Sequence, residues 1–327
     1  MFRKLLSFVF LLCFSVLILG GCVASQTNQK PKIVCSVFAA YDFVREILGE
    51  EAERFSIVYL PENGEDIHSY KNAFTARDKR DILTCDLFLY VGGSSDAWLK
   101  DMLNDPDSSP ARHTLTFFDT AVEKREEQET EGMKEESEHG HGHEEEYDEH
   151  LWLSLKNAMA FCRALVPELE RLDASHADIF RKNAEQYLRQ LEALDTRYAE
   201  VAETAGKKAV IFADRFPFQY LLGAYRIPYF AAFPGCSTET STSYENLRTL
   251  ADKINEYDVT SLLVLEHSAV RISDTLCSLC GRSNLTLRTM NSLQSVTRKE
   301  IENGLTYRSV MERNLTELKG ALESSCP

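Results

Sequence analysis

The sequence is short of positive charge. It has 36 Lys and Arg residues against 51 Asp and Glu residues, a formal net charge of −15. A polyanion such as nucleic acid is therefore a poor partner, whereas a cation is a suitable ligand. The chain also lacks a His-Glu-x-x-His motif and a nucleophile elbow, and it contains a single Cys-x-x-Cys motif. These absences argue against a metallohydrolase and against a zinc ribbon, and we expect no enzymatic activity.

Most of the negative charge lies in one segment. Between residues 123 and 149 there are 13 acidic and 3 basic residues, a net charge of −10. Such a run alone is typical of a solvated, disordered loop. Three histidines alternate with glycines in it: His139, His141 and His143. Disorder does not require these histidines, so we interpret 121–149 as a metal-collecting loop. It leads to His150, whose position at the start of an apolar element favours a fixed metal ligand.

The N-terminus has the pattern of an export signal. Two basic residues precede an apolar run over 5–19, and the run is followed by two glycines and Cys22. This pattern predicts a lipoprotein signal peptide over 1–21, lipidation of Cys22, and a polar tether over 22–30. The alternative is an uncleaved transmembrane anchor, for which the run is somewhat short of the roughly 20 residues needed.

The cysteines are consistent with an exported protein. Cys35 and Cys85 each lie in a strand-like apolar run, and a disulfide between neighbouring strands is plausible. For Cys277 and Cys280 we prefer a bridge from one of the pair to Cys236. Seven cysteines follow Cys22, so at least one thiol is left free or pairs with another chain.

The hydrophobic pattern predicts two α/β lobes. Short apolar runs alternate with helical patterns over 31–155 and again over 207–327, which is typical of parallel sheets flanked by helices. The segment 156–206 between them is almost unbroken helical pattern. Its part 177–203 contains neither Gly nor Pro, which favours one long rigid helix joining the lobes. A coiled-coil dimer is the alternative, but the heptads are too few, and we expect a monomer.

Ligand sites in open parallel sheets lie beyond the C-terminal ends of the strands. Five side chains that can bind a metal fall at such predicted ends: His68, His150, Asp214, Glu239 and Glu266. Each one alone is commonly structural, so the indication of a site is their placement at the same edge of two lobes. Two histidines with carboxylates across a cleft would supply the four ligands that zinc requires.

The sequence also resembles a family. The lipobox, the His-rich loop, the run Leu60–Tyr70 (LPENGEDIHSY) and the motif Asp148–Ser154 (DEHLWLS) are similar to those of zinc/manganese solute-binding lipoproteins of ABC importers, of the zinc-uptake type in cluster A-I. The resemblance covers nearly the whole chain after the signal. It implies two α/β lobes joined by one long helix, with His68 and His150 as the first two metal ligands.

The second lobe departs from the family pattern. The third ligand is usually a His or Glu just before a helix, where this chain has Asp214. The fourth is usually an Asp in a late turn, where this chain has Asn291. Glu239 and Glu266 are rivals to Asp214. We predict that Asp214 and Glu239 complete the site.

The resemblance implies a high-affinity zinc-binding lipoprotein. It would capture Zn2+ between the lobes and deliver it to an ABC permease, anchored by lipid to the outer face of the cytoplasmic membrane. The His-rich loop favours zinc over manganese. Three alternatives stay open: a manganese- or iron-binding member of the family, a metal-dependent hydrolase with Glu149 as its base, and an adhesin that reuses the fold.

Overall fold

A computed structural model describes eight stretches of the chain: residues 30–104, 112–128, 130–133, 147–205, 208–235, 242–268, 272–283 and 285–323. The predicted signal peptide, Cys22 and all but the last residue of the predicted tether lie outside them. Cys236, Glu239 and the three loop histidines also lie outside them.

The first lobe is built on a parallel sheet of four strands in the order β2-β1-β3-β4. Its strands are β1 (Lys32–Cys35), β2 (Ser56–Tyr59), β3 (Leu87–Tyr90) and β4 (His113–Thr116). The central strand β1 places Val34 opposite Val58 on one side and Phe88 on the other. Because central parallel strands are buried on both faces, they read as short continuous apolar runs rather than alternating ones.

The helices of the first lobe follow its strands. They are α1 (Phe38–Leu48), α2 (Ala76–Leu83) and two single-turn helices, α3 (Lys100–Leu103) and α4 (Phe117–Thr120). Thr75 is the N-cap of helix α2, and its side chain forms a capping box with Asp78. This box satisfies two backbone N–H groups that the first turn of a helix leaves open.

The second lobe repeats the arrangement with strand order β6-β5-β7-β8, again all parallel. Its strands are β5 (Val210–Phe216), β6 (Tyr229–Pro234), β7 (Ser261–Leu265) and β8 (Thr286–Met290). Its helices are α7 (Gln219–Ala224), α8 (Tyr244–Glu256), α9 (Ser273–Cys280), α10 (Arg298–Glu302) and α11 (Tyr307–Leu322). In both lobes the strands end towards the loops that carry the predicted ligands.

Two helices join the lobes: α5 (Leu155–Leu172) and α6 (Ala177–Ala205). Helix α6 has 29 residues and is about 43 Å long at 1.5 Å per residue. It buries a stripe of side chains at helical spacing: Phe180, Ala184, Tyr187, Leu191, Leu194 and Tyr198. The predicted architecture is confirmed: two lobes, each built on a parallel sheet, with one long helix between them.

One hydrophobic core extends through both lobes along these helices. It runs from Ile33 in β1 through Leu191 in α6 to Phe212 in β5, all 0% exposed. Tyr198 of α6 also donates a hydrogen bond to the Met311 carbonyl of α11, at 2.7 Å. Because a buried leucine truncated to alanine costs about 2–5 kcal/mol, this shared core ties the lobes together firmly behind the cleft.

On the cleft side, polar contacts join the lobes. The backbone of Asn63 bridges Thr297, and the N–H of Arg298 donates to the Glu62 carbonyl at 2.6 Å. Arg215 of β5 pairs with Asp66 at 3.1 Å. The loop after β2 is therefore held by the second lobe through hydrogen bonds and ion pairs.

The five described cysteines beyond residue 30 are free thiols: Cys35, Cys85, Cys162, Cys277 and Cys280. Cys35 and Cys85 are both buried, yet the disulfide suggested between them is not formed. The partner suggested for Cys277 or Cys280 is Cys236, which lies outside the described residues.

Within the stretches that the structure describes, no helix has the length and apolar character needed to cross a bilayer.

Candidate metal site

His150 is fixed by the residues on both sides of it. It precedes a 3-10 turn over Leu151–Leu153, whose three side chains are 0% exposed. Ser154 then caps α5 by accepting the N–H of Asn157 at 3.2 Å. Because the turn is buried in the core and the next helix is capped, the backbone at His150 has little freedom, and the residue is 0% exposed.

Asp148 sets the orientation of the His150 ring. One of its oxygens, Oδ1, lies 2.7 Å from Nδ1 of His150 and also accepts the His150 backbone N–H at 2.8 Å. A carboxylate only accepts hydrogen bonds, so Nδ1 donates and Nε2 keeps its lone pair. A carboxylate behind an imidazole is the arrangement that orients histidine ligands of metals.

His68 reaches the same point from the loop after β2. Its Nδ1 lies 3.1 Å from Ser95 Oγ and 3.9 Å from a Glu149 oxygen. Burial, followed by the neighbouring His150, lowers the pKa of His68 to about 4. The ring is therefore neutral at pH 7, which is the form that binds a metal.

The structure brings these two predicted residues together. Their Nε2 atoms are 3.0 Å apart, and the ring centroids are 4.9 Å apart. Two nitrogens bound to one tetrahedral zinc at about 2.0–2.1 Å would be about 3.3–3.4 Å apart. A small movement of either ring would therefore admit the ion.

Glu149 supports the loop beside His68. It is 3% exposed, and its Oε1 accepts hydrogen bonds from Ser94 Oγ and the Ser95 N–H, both at 2.7 Å. A Cβ at Gly93 would collide with this carboxylate, so the glycine makes room for it. Glu149 thus positions Ser95, which in turn contacts His68.

Gln294 is the side chain that approaches both imidazoles from the second lobe, and sequence reasoning missed it. Its Nε2 lies 2.8 Å from Nε2 of His68 and also contacts Nε2 of His150. It follows β8, the edge strand of the second sheet, by four residues. Its position just past the end of a strand could have marked it as a candidate ligand, but glutamine is an uncommon metal ligand.

Asn291, which the sequence resemblance to the family places at the fourth ligand position, forms its hydrogen bonds within its own turn and with Asn314. Its Oδ1 accepts the N–H of Leu293 at 2.8 Å, and its backbone N–H and C=O pair with the Asn314 side chain, each at 2.8 Å. Leu293 has φ of 63°, so the turn is tight. Asn291 therefore shapes the turn that presents Gln294.

The predicted carboxylates of the second lobe are engaged elsewhere. Asp214 is 1% exposed and accepts the backbone N–H groups of Arg215 at 2.8 Å and Leu265 at 2.9 Å. Glu266 accepts both the N–H and the hydroxyl of Ser292, at 2.9 and 2.6 Å. Burial raises the pKa of Glu266 to about 7. Each oxygen of Asp214 thus already accepts one backbone hydrogen bond.

Glu239 lies outside the described residues. The last described residue before it, Gly235, packs against the His150 ring, because a Cβ there would lie 2.9 Å from His150 Cε1. Among the described residues, no three His, Cys, Asp or Glu side chains are grouped as a metal would need. Asp214 and Glu239 therefore stay predictions as ligands.

A family model, described as zinc-uptake complex component A, periplasmic (ZnuA), matches residues 33–321. The zinc-binding lipoprotein AdcA of Streptococcus pneumoniae is 27% identical over 302 residues, covering 92% of this chain and 58% of AdcA. The high-affinity zinc uptake system protein ZnuA of Bacillus subtilis is 26% identical over 328 residues, 96% of each protein.

The chain thus spans 58% of the length of the AdcA relative and nearly all of that of the Bacillus protein. The crystal structure of the Zn(II)-bound ZnuA-like domain of S. pneumoniae AdcA superposes with a TM-score of 0.68 at 23% identity. The superposition covers 90% of this chain and 99% of that domain. At this identity the likeness concerns the fold.

Proposed function

The chain belongs to the ZnuA family of periplasmic zinc-uptake components, and on that premise we propose that it captures Zn2+ between its lobes and delivers it to an ABC permease. The observation that carries this proposal is the 3.0 Å approach of Nε2 of His68 to Nε2 of His150. Nε2 of His150 keeps its lone pair because Nδ1 donates to Asp148, and it points at the place that Nε2 of His68 also reaches, which is the convergence of ring nitrogens that a zinc ion requires.

Zinc is the cargo that fits these donors. Imidazole nitrogen suits zinc, and His68 and His150 would supply two of its four positions. We propose that a carboxylate of the second lobe helps to complete the set, with Asp214 and Glu239 as the candidates. Replacing the carboxylate that binds by its amide, in Asp214→Asn or Glu239→Gln, should weaken zinc binding.

The N-terminal pattern and the acidic loop complete the proposal. Lipidation of Cys22 would hold the protein at the outer face of the cytoplasmic membrane, beside the permease it serves. The relatives are named lipoproteins or uptake-system proteins, which supports this placement. His139, His141 and His143 would collect ions for the buried site, and we expect the monomer to suffice.

We also propose that the protein has no enzymatic activity. The Glu149 carboxylate, the one base considered for hydrolysis, has one oxygen occupied by Ser94 and Ser95 and the other directed at His68. A general base must instead reach a water or a substrate proton. Glu149 is placed to support a ligand rather than to accept a proton.

The test is calorimetric titration of the chain from residue 23 onward with Zn2+ in competition with a chelator. We expect one tight site, which is lost in His68→Ala and in His150→Ala. His113→Ala and His176→Ala are matched controls, because each also removes a histidine paired with a carboxylate, at 3.0 and 2.8 Å, away from the cleft. A triple change of the loop histidines to serine should remove weak sites and leave the tight one.

Tight zinc binding that survives both cleft variants would overturn the proposal. Mn2+ or Fe2+ displacing Zn2+ from the wild-type protein would keep the site but change the cargo. Because divalent metals compete in the order Mn2+ < Fe2+ < Zn2+ for a nitrogen-rich site, we expect zinc to win.

A further inference from the structure

Three side chains from the two lobes bring their terminal nitrogen or amide groups together at one buried point. Nε2 of His68, Nε2 of His150 and the amide of Gln294 are in mutual contact, and Gln294 is 1% exposed. The two histidines come from the first lobe and the glutamine from the second. A buried amide must satisfy both its oxygen and its NH2 group, so the orientation of this amide can be tested against its neighbours.

The neighbour that decides the orientation is Ser292. Its Oγ lies 2.6 Å from Oε1 of Glu266 and 3.0 Å from Oε1 of Gln294. A hydroxyl has one proton to donate, so an ionised Glu266 and the Gln294 oxygen would compete for it. The Ser292 N–H also donates to the same carboxylate, at 2.9 Å, so Glu266 binds Ser292 through both of its oxygens. With the amide oxygen turned towards Ser292, the two acceptors compete for one hydroxyl proton.

Turning the amide by half a turn removes the competition. The NH2 group would donate to Ser292 Oγ, and Ser292 would donate its proton to Glu266. The amide oxygen would then face the two imidazoles. The oxygen and the nitrogen of an amide have nearly the same size, so both orientations fit the same space. With a cation at that point, the turned orientation presents three acceptors to it, two nitrogens and one oxygen; without the cation, the NH2 group faces the imidazoles and can donate to them.

We propose that Gln294 is a metal ligand through its amide oxygen, held in that orientation by Ser292 and Glu266. This inference rests on the proposed zinc-binding function and adds a residue that the sequence prediction did not contain. Gln294 gives the second lobe a neutral ligand where a carboxylate would also fit. A neutral oxygen attracts the cation less strongly, so the site binds less tightly and releases its ion more readily than one with a carboxylate there.

The test compares Gln294→Ala, Gln294→Glu and Ser292→Ala at pH 8, by zinc titration against a chelator and by the absorption spectrum of the Co2+-loaded protein. Gln294→Ala should weaken zinc binding by about 10- to 100-fold or more, the range seen when an outer-shell partner of a metal is lost. Gln294→Glu should tighten it. Both should change the Co2+ absorption bands, which report the ligand set, and Ser292→Ala should weaken binding less than Gln294→Ala.

Gln219→Glu is the matched control. Gln219 is also buried, at 3% exposure, but its amide pairs with backbone groups of Glu126 and Gln128. This variant should leave the Co2+ spectrum unchanged. The melting temperature of each metal-free variant checks folding, and if Gln294→Ala does not fold, the nearly isosteric Gln294→Glu decides.

Unchanged affinity and spectra in both Gln294 variants, with binding still lost in His68→Ala and His150→Ala, would overturn the role of Gln294 and leave the proposed function standing. Tight binding retained in the two histidine variants would instead defeat the proposed function itself.

Discussion

The two halves of the site use their carboxylates differently. In the first lobe, Asp148 and Glu149 stand behind the imidazoles, one bonded to His150 Nδ1 at 2.7 Å and the other 3.9 Å from His68 Nδ1. In the second lobe, Asp214 accepts two backbone N–H groups and Glu266 binds Ser292. Negative charge thus orients the two imidazoles on one side and shapes the loops on the other.

This difference assigns separate tasks to the lobes. The first lobe holds two histidines in a geometry close to that of a bound ion, because their outer partners and the buried turn after His150 leave them little freedom. The second lobe closes over them through Gln294 and through exposed or half-buried contacts such as Arg215 with Asp66. A substitution in the second lobe should therefore change the rate of zinc release more than it changes the geometry of the two histidines.

The largest expected effect lies away from the cleft, where Asp42 of α1 accepts the N–H of Tyr307 at the start of α11, at 2.8 Å. Burial raises the pKa of Asp42 from 3.8 to about 7. The folded protein therefore holds a proton that the unfolded chain releases, so stability falls as the pH rises from about 4 to about 7. In Asp42→Asn this loss, roughly 4 kcal/mol at most, should be absent.

Denaturant unfolding of the metal-free wild-type and Asp42→Asn proteins at several pH values measures this effect. The two stabilities should diverge between pH 4 and 7, with the variant favoured at the higher pH, and should then run parallel. If the two stability curves ran parallel over the whole pH range, the pKa of Asp42 would not be raised. The contact between Asp42 and the Tyr307 N–H would then contribute no pH dependence to stability.

The next effect tests the first half of the site directly. Asp148→Asn keeps the shape of the side chain but removes the charge behind His150, and we expect zinc affinity to fall by about 10- to 100-fold. Asp173→Asn is the control, because Asp173 also pairs with a histidine, His176 Nδ1 at 2.8 Å, outside the cleft. Chelator competition measures both, and equal affinities would mean that the carboxylate behind His150 is dispensable.

The smallest effect tests the second half. Arg215→Ala removes the ion pair to Asp66, whose other oxygen accepts the His68 N–H at 3.0 Å. Such a partly exposed pair contributes about 1 kcal/mol or less, so zinc release to a chelator should accelerate by no more than about fivefold. Stopped-flow measurement gives the rate. Arg163→Ala, which removes the exposed pair with Glu192, should leave the rate unchanged.

Much of the fold follows from local pattern. The strands β1 and β7 are apolar runs bounded by turn residues, and α6 lacks Gly and Pro over 177–203. Periodicity and propensity act over a few residues, so they can be read directly. The disulfide between Cys35 and Cys85 is not formed although both thiols are buried. Cys35 pairs with Leu89, whereas Cys85 precedes β3 and lies four positions before Leu89, so the strand register separates the two thiols.

The two halves of the site differ in the same way. His68 and His150 stand in distinctive local contexts, and the structure brings them together. Gln294 carries no such mark, since a glutamine in a loop is usually a surface residue. Asp214 looked available because its backbone partners, including the Leu265 N–H 51 positions along the chain, are not visible in the sequence. Which carboxylates are already engaged is a property of long-range contacts.

The sequence by itself determined the parallel sheet of each lobe, the long helix between the lobes and the pair of histidines. Each of these depends on hydrophobic spacing or residue type within a short stretch. Only the tertiary structure decided which side chain of the second lobe faces those histidines. That choice depends on a turn shaped by Asn291 and Asn314, and on Ser292 and Glu266 meeting across 26 residues of chain. No local rule relates positions so far apart.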